Sequence, residues 1–485
     1  MTALIIHGHF YQPPRENPWT GEVEAEPSAA PYHDWNERIH AESYAPNAAV
    51  DNYARISFNF GPTLLSWLER HHSDTYQHIL RADRESAVQR GGHGNAIAQA
   101  YGHAILPLCN ERDRLTQVVW GVADFRFRFG REPEALWLPE TAANDATLTL
   151  LIEQGLRYVI LAPEQAKRVR VDSEWVDVSG GKVDTTRAYR FEHPDGSTRS
   201  IAVFFYDGSL ARAIAFEKAL TSSRGLVELF LRAAEQGDLV NVATDGETYG
   251  HHFKFGDLGL AHALGVEARQ AGFWITNYGE YLDKKSAESV VEIENGPEGE
   301  GSSWSCAHGV GRWARDCGCH TGGEAGWTQA WRDPLRLAFN FLRDDAALKF
   351  ESSAGELLRD PWATRNDYIS VLLEPRAKAG FLARHALRGL SEPERERVFQ
   401  LLEMQRSALL MFTSCGWFFS DLAGIETLQV LRYAARVIDL QEQLGFDVPR
   451  KEFFELLANA KSNRPDKGNG AEIFASLVES VAALR

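Results

Sequence analysis

Short β-rich runs alternate with helical stretches over residues 3–282, and this alternation constrains the fold more than any other feature of the chain. Amphipathic segments such as "DATLTLLIEQGL" (145–156) and "GLVELFLRAAEQG" (225–237) separate the runs. Strand–helix alternation predicts a parallel sheet, and about seven repeats favour a barrel over a small open sheet. The runs are "ALIIHGHF" (3–10), "RISFNF" (55–60), "EALWLPE" (134–140), "RYVILAPE" (157–164), "SIAVFFYDG" (200–208), "DLVNVATDGE" (238–247) and "GFWITNYGEYL" (272–282).

The alternation stops near residue 285. Residues 286–332 are rich in Gly, Trp and Cys and have neither a helical nor a strand period, so we expect a long structured loop with a role at an active site. From Asp333 onward, apolar residues recur at helical spacing, and Ser391 with Glu394 forms a capping-box pattern. We therefore predict an α/β chain in three parts: a barrel (1–285), an active-site loop (286–332) and a C-terminal helical domain (333–485).

Charge and composition restrict the classes of partner. The formal net charge of −16 argues against a nucleic-acid binder, because such proteins neutralise phosphates with Lys and Arg. The N-terminus has no basic region before its short apolar run, and no stretch approaches about 18 consecutive apolar residues, so neither a signal peptide nor a membrane helix is expected. Five cysteines in a chain of 485 residues are typical of a reducing compartment, which predicts a cytoplasmic protein.

Two acidic residues at predicted strand ends are candidates for catalysis. Glu140 ends "LWLPE" and Asp245 ends "NVATD". The carboxyl ends of barrel strands meet at one face, so we expect both side chains in one cleft. Two facing carboxyl groups are what breaking a glycosidic bond requires, since one attacks or stabilises the sugar carbon and the other protonates the leaving oxygen. Glu164 and Asp207 also follow strands, and we interpret them as helix-cap or turn residues.

The histidines allow two interpretations. His7 and His9 have the spacing at which metal-dependent hydrolases use two ligands on one side of a strand, and Asp245 could complete such a site. Neutral imidazoles can equally hydrogen-bond sugar hydroxyls, with Gln12 nearby. The spacing alone does not decide between a metal site and a sugar site.

A second candidate metal site lies in the Cys-rich loop. The loop places five residues that can bind metal within fifteen positions, and a structural zinc needs four such ligands. The spacing is not one of the standard zinc patterns, so a disulfide or buried thiols remain alternatives. The five residues are Cys306, His308, Cys317, Cys319 and His320.

Five separated motifs are similar to those of a known family. The chain resembles glycoside hydrolase family 57, retaining enzymes of α-glucan metabolism that include α-amylases, 4-α-glucanotransferases and branching enzymes. The helical tail at 401–440 is similar to a poorly characterised branch with an additional C-terminal domain. Chains of that branch commonly run longer, so this chain is expected to end earlier. The motifs are "HGHFYQP" (7–13), "GHGNAIAQAYGHAILPL" (92–108), "LWLPE" (136–140), "TDGETYGHH" (244–252) and "SSWS" (302–305).

The resemblance implies a (β/α)7 barrel followed by a helical domain, and a role for each matching residue. Glu140 would be the nucleophile and Asp245 the general acid/base. Two extra residues precede Gln12-Pro13 relative to the family pattern, which affects where His9 lies. The family pattern is metal-independent, so we expect no cofactor and no metal at the active site. The expected substrate contacts are His9, Gln12, His103, Trp304, Trp137 and His251.

We therefore expect an oligo- or polysaccharide substrate, an α-glucan, and no nucleic-acid or membrane partner. One alternative is a metal-dependent hydrolase of the deacetylase or amidohydrolase type, built on His7, His9 and Asp245. Another is a non-catalytic glycan-binding protein, in which one of the two acids would be misplaced. Glu247 is expected to support the site, and Trp313 to offer a further flat apolar surface for stacking on a sugar.

Overall fold

The computed structural model describes residues 1–482, with side chains up to residue 479. The chain divides into two compact units. The first comprises residues 1–12, 24–101 and 124–305, and the second comprises 13–23, 102–123 and 306–485. The three predicted parts, with boundaries near residues 285 and 333, remain a prediction.

Twelve strands lie in the described chain, and their parallel pairings follow the predicted runs. β1 pairs with β10 from Ala3↔Leu239 to His9↔Asp245 and with β2 at His7↔Ser57. β3 pairs with β4, and β5 pairs with β9. The strands are β1 (Ala3–Phe10), β2 (Ser57–Phe60), β3 (Ala98–Gln99), β4 (Leu136–Trp137), β5 (Tyr158–Leu161), β6 (Ala166–Val171), β7 (Glu174–Asp177), β8 (Ala188–Glu192), β9 (Ser200–Phe205), β10 (Leu239–Asp245), β11 (Trp274–Ile275) and β12 (Val291–Ile293).

The core of the first unit explains why polar residues collect at the strand ends. Alternate residues of a strand point to the same face, so Ala3 and Ile5 in the core put His7 and His9 on that face of β1. By the same period, Leu239 and Ala243 put Asp245 on the core face of β10. The apolar early residues thus aim the later polar ones inward.

The helices up to residue 305 match the amphipathic segments of the sequence. In α8, for example, the buried residues Leu226, Val227 and Phe230 form one stripe at helical spacing. The helices are α1 (Trp35–Ile39), α2 (Ala45–Ala49), α3 (Pro62–His71), α4 (Ser73–Gln89), α5 (Glu111–Phe129), α6 (Asp145–Glu153), α7 (Gly208–Phe216), α8 (Ser223–Ala234), α9 (Gly256–His262), α10 (Ala268–Gln270) and α11 (Tyr278–Lys284).

Two expectations about this part of the chain are wrong in detail. The run 272–282 is a strand only at Trp274–Ile275, because the Asn277 side chain accepts a hydrogen bond from Glu280 N and starts helix α11. Residues 286–332 are not a continuous loop, since β12 pairs antiparallel with β6. The strands β3 and β6–β8 were not expected, because the predicted apolar runs do not include their residues.

The second unit is helical after residue 331, as predicted. Helix α16 begins with the expected capping box, in which Ser391 N donates to Glu394 Oε2 at 2.8 Å. No helix in the described residues combines the length and the apolar character needed to cross a bilayer. The helices are α12 (Arg332–Gly355), α13 (Pro361–Asp367), α14 (Ile369–Leu373), α15 (Lys378–His385), α16 (Glu392–Leu410), α17 (Cys415–Phe418), α18 (Ile425–Gln443), α19 (Arg450–Leu457) and α20 (Gly470–Ala482).

Candidate active site

Glu140 lies on a strained turn three residues after β4. Its φ of 58° and that of Thr141, 52°, are in the left-handed region, which costs non-glycine residues about 1–3 kcal/mol and is common at active sites. The carboxylate Oε2 accepts hydrogen bonds from Ser305 Oγ at 2.7 Å and Trp304 Nε1 at 3.1 Å. These donors stabilise the ionised form of Glu140 and fix its orientation.

Gln165 holds this turn in place. Its Oε1 accepts from Thr141 Oγ1 (2.8 Å) and Ala162 N (2.9 Å), and its Nε2 donates to Thr141 O (2.9 Å) and Ser302 O (3.1 Å). Gln165 is fully buried, so these bonds form away from water. One side chain therefore ties the Glu140 turn to the segment that supplies Trp304 and Ser305. Sequence reasoning missed this residue, which shows only as a Gln after a strand end.

Asp245 ends β10 on the core face of that strand, and part of the residue is exposed, although Thr244 and Glu247 beside it are buried. Water therefore reaches the residue, while the surrounding protein still desolvates its carboxyl group. Desolvation by the surrounding protein, and secondly the negative charge of Glu140, raise the pKa of Asp245 to about 7. Glu140 and Asp245 are therefore close enough for the charge of Glu140 to act on Asp245.

Glu247 is a buried supporting carboxyl. Its Oε1 accepts from Tyr44 OH at 2.6 Å and from Tyr11 N at 3.0 Å. Burial, with a smaller contribution from Asp245, raises the pKa of Glu247 to about 8 despite the lowering by the Tyr44 bond. Glu247 is thus protonated at neutral pH and adds no charge next to Asp245.

A chain of hydrogen bonds connects His7 and His9 through Asn59. His7 Nδ1 lies 3.0 Å from Ser57 Oγ, and its Nε2 lies 3.0 Å from Asn59 Oδ1. His9 Nδ1 lies 2.9 Å from Asn59 Nδ2 and 3.3 Å from Asn59 Oδ1. Burial lowers the pKa of both imidazoles to about 3, so both are neutral at neutral pH.

These contacts argue against the metal-dependent alternative. Both ring nitrogens of His7 are engaged by protein groups, which leaves no lone pair for a metal. In the described residues, two groups of three or more His, Cys, Asp or Glu have ligand atoms within 4.8 Å of one another, and neither contains His7, His9 or Asp245. The two groups are Cys306, His308, Cys317 and Cys319, and Glu37, His40 and His72.

Aromatic packing orders the centre of the site. His7 and His9 stack on Trp137, with ring centroids 4.8 and 4.9 Å away. Trp137 is only 1% exposed, so its ring packs against the two histidines and offers no face to a sugar. Trp304 is half-buried and lies edge-on to Trp137 at 5.3 Å.

The other predicted contacts have partners of their own. Gln12 is half-buried, with Nε2 donating to Tyr11 O at 2.9 Å. His251 is bonded to Glu42 and lies edge-on to Trp35. His103 belongs to the second unit, where Nδ1 lies 2.6 Å from Ser414 Oγ.

Two further residues are structural. Trp313 is completely buried and offers no stacking surface. Asp207 caps α7 by accepting from Leu210 N at 3.0 Å.

Two family models match the chain. The model of glycosyl hydrolase family 57 matches residues 10–294, more than half of the chain, including Glu140 and Asp245. A model described as a domain of unknown function (DUF3536) matches residues 327–483.

Individual proteins are more distantly similar. Alpha-amylase 1 of Dictyoglomus thermophilum is 24% identical over 107 residues, which cover 22% of this chain and only 15% of that protein. An exo-type maltose-forming amylase of Pyrococcus sp. ST04 has a TM-score of 0.67 at 14% identity, covering 97% of this chain and 90% of that one. A family 57-type branching enzyme of Pyrococcus horikoshii has a TM-score of 0.57 at 16% identity, covering 95% and 94%. These structures share the fold.

Proposed function

We propose that this chain, which belongs to glycosyl hydrolase family 57, is a retaining glycoside hydrolase or transglycosylase acting on α-glucans. The observation that carries the proposal is the electrostatic pair of Glu140 and Asp245: the first is held ionised by two donors, and the second has its pKa raised to about 7. The amylase and branching-enzyme names of structures with the same fold support α-glucans as the substrate class.

The proposed scaffold is a closed (β/α)7 barrel. Bridges Phe58↔Ala96 and Ala135↔Tyr158 extend the parallel pairings from β2 towards β3 and from β4 to β5. Asp207 N donates to Asn241 O at 2.8 Å, which links the end of β9 to β10. With these links, β1, β2, β3, β4, β5, β9 and β10 form a ring whose carboxyl ends carry the site.

The first chemical step uses the ionised Glu140 and the protonated Asp245. Trp304 and Ser305 orient the Glu140 carboxylate through Oε2, and we assign attack on the anomeric carbon to this carboxylate. As the bond between the anomeric carbon and the carboxylate oxygen forms, the glycosidic carbon–oxygen bond breaks, and the leaving oxygen takes the proton of Asp245. The product of this step is a glycosyl ester of Glu140.

The second step reverses the role of Asp245. Ester formation removes the charge of Glu140, which is one cause of the raised pKa of Asp245, so that pKa falls. The now ionised Asp245 takes a proton from water or from a sugar hydroxyl as that oxygen attacks the anomeric carbon and releases Glu140. Water gives hydrolysis, a sugar gives transfer, and two inversions retain the configuration.

Sugar binding is assigned to groups around this pair. His9, as a neutral imidazole, would hydrogen-bond a sugar hydroxyl, and the half-buried Trp304 would contact the ring bound next to Glu140. Gln12 and His251 are proposed as further contacts. Trp137 is assigned the supporting role that its burial favours.

The test is product analysis on maltoheptaose with and without EDTA. We expect wild type to form shorter products, with longer ones as well if it transfers, and EDTA to leave them unchanged. Glu140→Gln and Asp245→Asn each remove one catalytic function and should abolish turnover, whereas the exposed control Glu235→Gln should retain it. Loss of activity in EDTA, or full activity in either active-site variant, would contradict the proposal.

Stereochemistry tests the mechanism separately. Proton NMR of the first product should show the α anomer before mutarotation. A β anomer would mean inversion, which needs the two carboxyl groups farther apart to admit a water molecule. A wild type that binds maltoheptaose without converting it would revive the glycan-binding alternative.

A further inference from the structure

A cluster of three thiols and one imidazole lies in the second unit, outside the site described above. It comprises Cys306, His308, Cys317 and Cys319, whose ligand atoms all lie within 4.8 Å of one another. His320, the fifth candidate from the sequence, is not part of it, since its Nδ1 lies 3.2 Å from both Gly322 O and Gly322 N. The four ligands come from one C-x-H pair and one C-x-C pair, with eight residues between the two pairs.

The distances within the cluster match a tetrahedral metal site. Bond lengths of about 2.3 Å for Zn–S and about 2.0–2.1 Å for Zn–N place tetrahedral ligand atoms about 3.8 Å apart for two sulfurs and about 3.5 Å apart for sulfur and nitrogen. Cys306 Sγ lies 3.8 Å from both Cys317 Sγ and Cys319 Sγ. His308 Nδ1 lies 3.5 Å from Cys319 Sγ. A disulfide would instead bring two sulfurs to about 2.05 Å, and the three cysteines of the cluster form no disulfide.

The surroundings suit thiolate ligands. Backbone N–H groups of His308 and Arg312 donate to Cys306, and that of Ala307 donates to Cys319. Such donors stabilise thiolates and orient them. Two glycines allow the tight turns within the ligand pairs: Gly309 follows His308 with a φ of 72°, and Gly318 separates the last two cysteines with a φ of 79°.

Charge compensation is also present. Three thiolates and one neutral imidazole around a divalent cation leave a net charge of −1. Arg332 is fully buried and donates from Nη1 to Cys319 O at 2.7 Å. Burial, and secondly the charge of the buried Arg312, lower the pKa of Arg332 to about 10, and the three cysteines oppose this shift. Arg332 is therefore a cation beside the cluster at neutral pH.

We propose that Cys306, His308, Cys317 and Cys319 bind one structural Zn²⁺. Three sulfurs and one imidazole select zinc over calcium or magnesium, which prefer oxygen, and four protein ligands close the site to substrate. Binding releases the thiol protons and fixes the fold of residues 306–319. This segment begins directly after Ser305, which donates a hydrogen bond to Glu140. By ordering residues 306–319, the metal also restrains the chain that follows this donor, and this second role rests on the proposed function.

Metal content is the first measurement. Full-length protein is produced in zinc-supplemented medium, purified without chelator, and measured by mass spectrometry of metal and sulfur. We expect about one zinc per chain in wild type and in Cys109→Ser, a control whose thiol donates to Ile105 O outside the cluster. The Cys317→Ser/Cys319→Ser double variant should lose the zinc.

A second measurement uses wild type alone and is independent of how the variants fold. Metal-stripped protein titrated with Co²⁺ should develop thiolate-to-cobalt charge-transfer bands and the visible bands of tetrahedral cobalt, saturating at one equivalent. A wild type without zinc and without these bands overturns the proposal, as does a double variant that keeps wild-type zinc. Two fewer thiols than five in denatured wild type would identify a disulfide instead.

Neither measurement uses catalysis, so a failure here is distinguishable from a failure of the proposed function. Inactive protein with one zinc per chain would contradict only the α-glucan assignment. Active protein without zinc would contradict only the metal site.

Discussion

Replacing Glu140 with Gln tests the electrostatic coupling on which the proposed mechanism depends. The substitution keeps the shape of the side chain and removes its charge. Because that charge is one of the two causes that raise the pKa of Asp245 to about 7, the pKa should fall in the variant. The sign is specific: a carboxyl that loses a negative neighbour becomes a stronger acid.

The size of the effect follows from the proposed geometry. Two charges about 5.5 Å apart, the separation of a retaining pair, interact by roughly 3 kcal/mol at an effective dielectric of about 20. Water reaches Asp245, so screening reduces this by about half, and 1.36 kcal/mol corresponds to about one pH unit. We therefore expect the pKa of Asp245 to fall by about one pH unit in the variant. This is only part of the raised pKa, which agrees with burial being the larger of its two causes.

The assay is ¹³C NMR of protein labelled at the aspartate carboxyl carbon, titrated from pH 4 to pH 9. Asp245→Asn identifies the resonance by its loss, and Glu235→Gln is the control in which the titration should not move. A pKa of Asp245 in Glu140→Gln equal to or above that of wild type would refute the coupling. In wild type, kcat/KM should fall as pH rises through about 7, because the protonated acid is then lost.

Three further predictions concern the supporting residues. Trp304→Phe keeps an aromatic ring but removes the Nε1 donor that stabilises the ionised Glu140. The acidic limb of kcat/KM against pH should therefore move to higher pH by about one pH unit. An acidic limb at the wild-type pH would mean that this hydrogen bond has no role. Gln165→Leu leaves the buried partners of Gln165 unpaired, which costs about 1–3 kcal/mol of folding free energy for each partner. We therefore expect a lower Tm in thermal unfolding and a lower kcat. The control Gln236→Leu, at an exposed position, should match wild type. Glu247→Gln imitates the protonated acid. In wild type the folded state holds this proton up to about pH 8, whereas the unfolded chain loses it near pH 4.5, so the free energy of unfolding decreases between these two pH values. Across that window the Tm of the variant should therefore decrease by about 2–4 °C less than the Tm of wild type. Equal slopes of Tm against pH would mean that Glu247 is ionised in wild type.

Local pattern was enough to predict most of the elements and to single out two acidic residues as candidates. The 3.6- and 2-residue periods depend only on consecutive side chains, so α6, α8, the C-terminal helices and most strands follow from them. Glu140 and Asp245 stand out because each ends an apolar run. The run 272–282 was misread because the apolar residues that continue past Asn277 conceal a helix cap.

The sequence by itself determined which residues alternate between core and strand end, and therefore which polar groups face inward at one end of the strands. Tertiary structure alone decided what those groups meet. Gln165 reaches Ser302 across 137 positions, Glu247 becomes a neutral acid because distant segments bury it, and Trp137 lies beneath two histidines instead of against solvent. Hydrogen-bond partners and desolvation arise between residues far apart in the chain, so no local period encodes them.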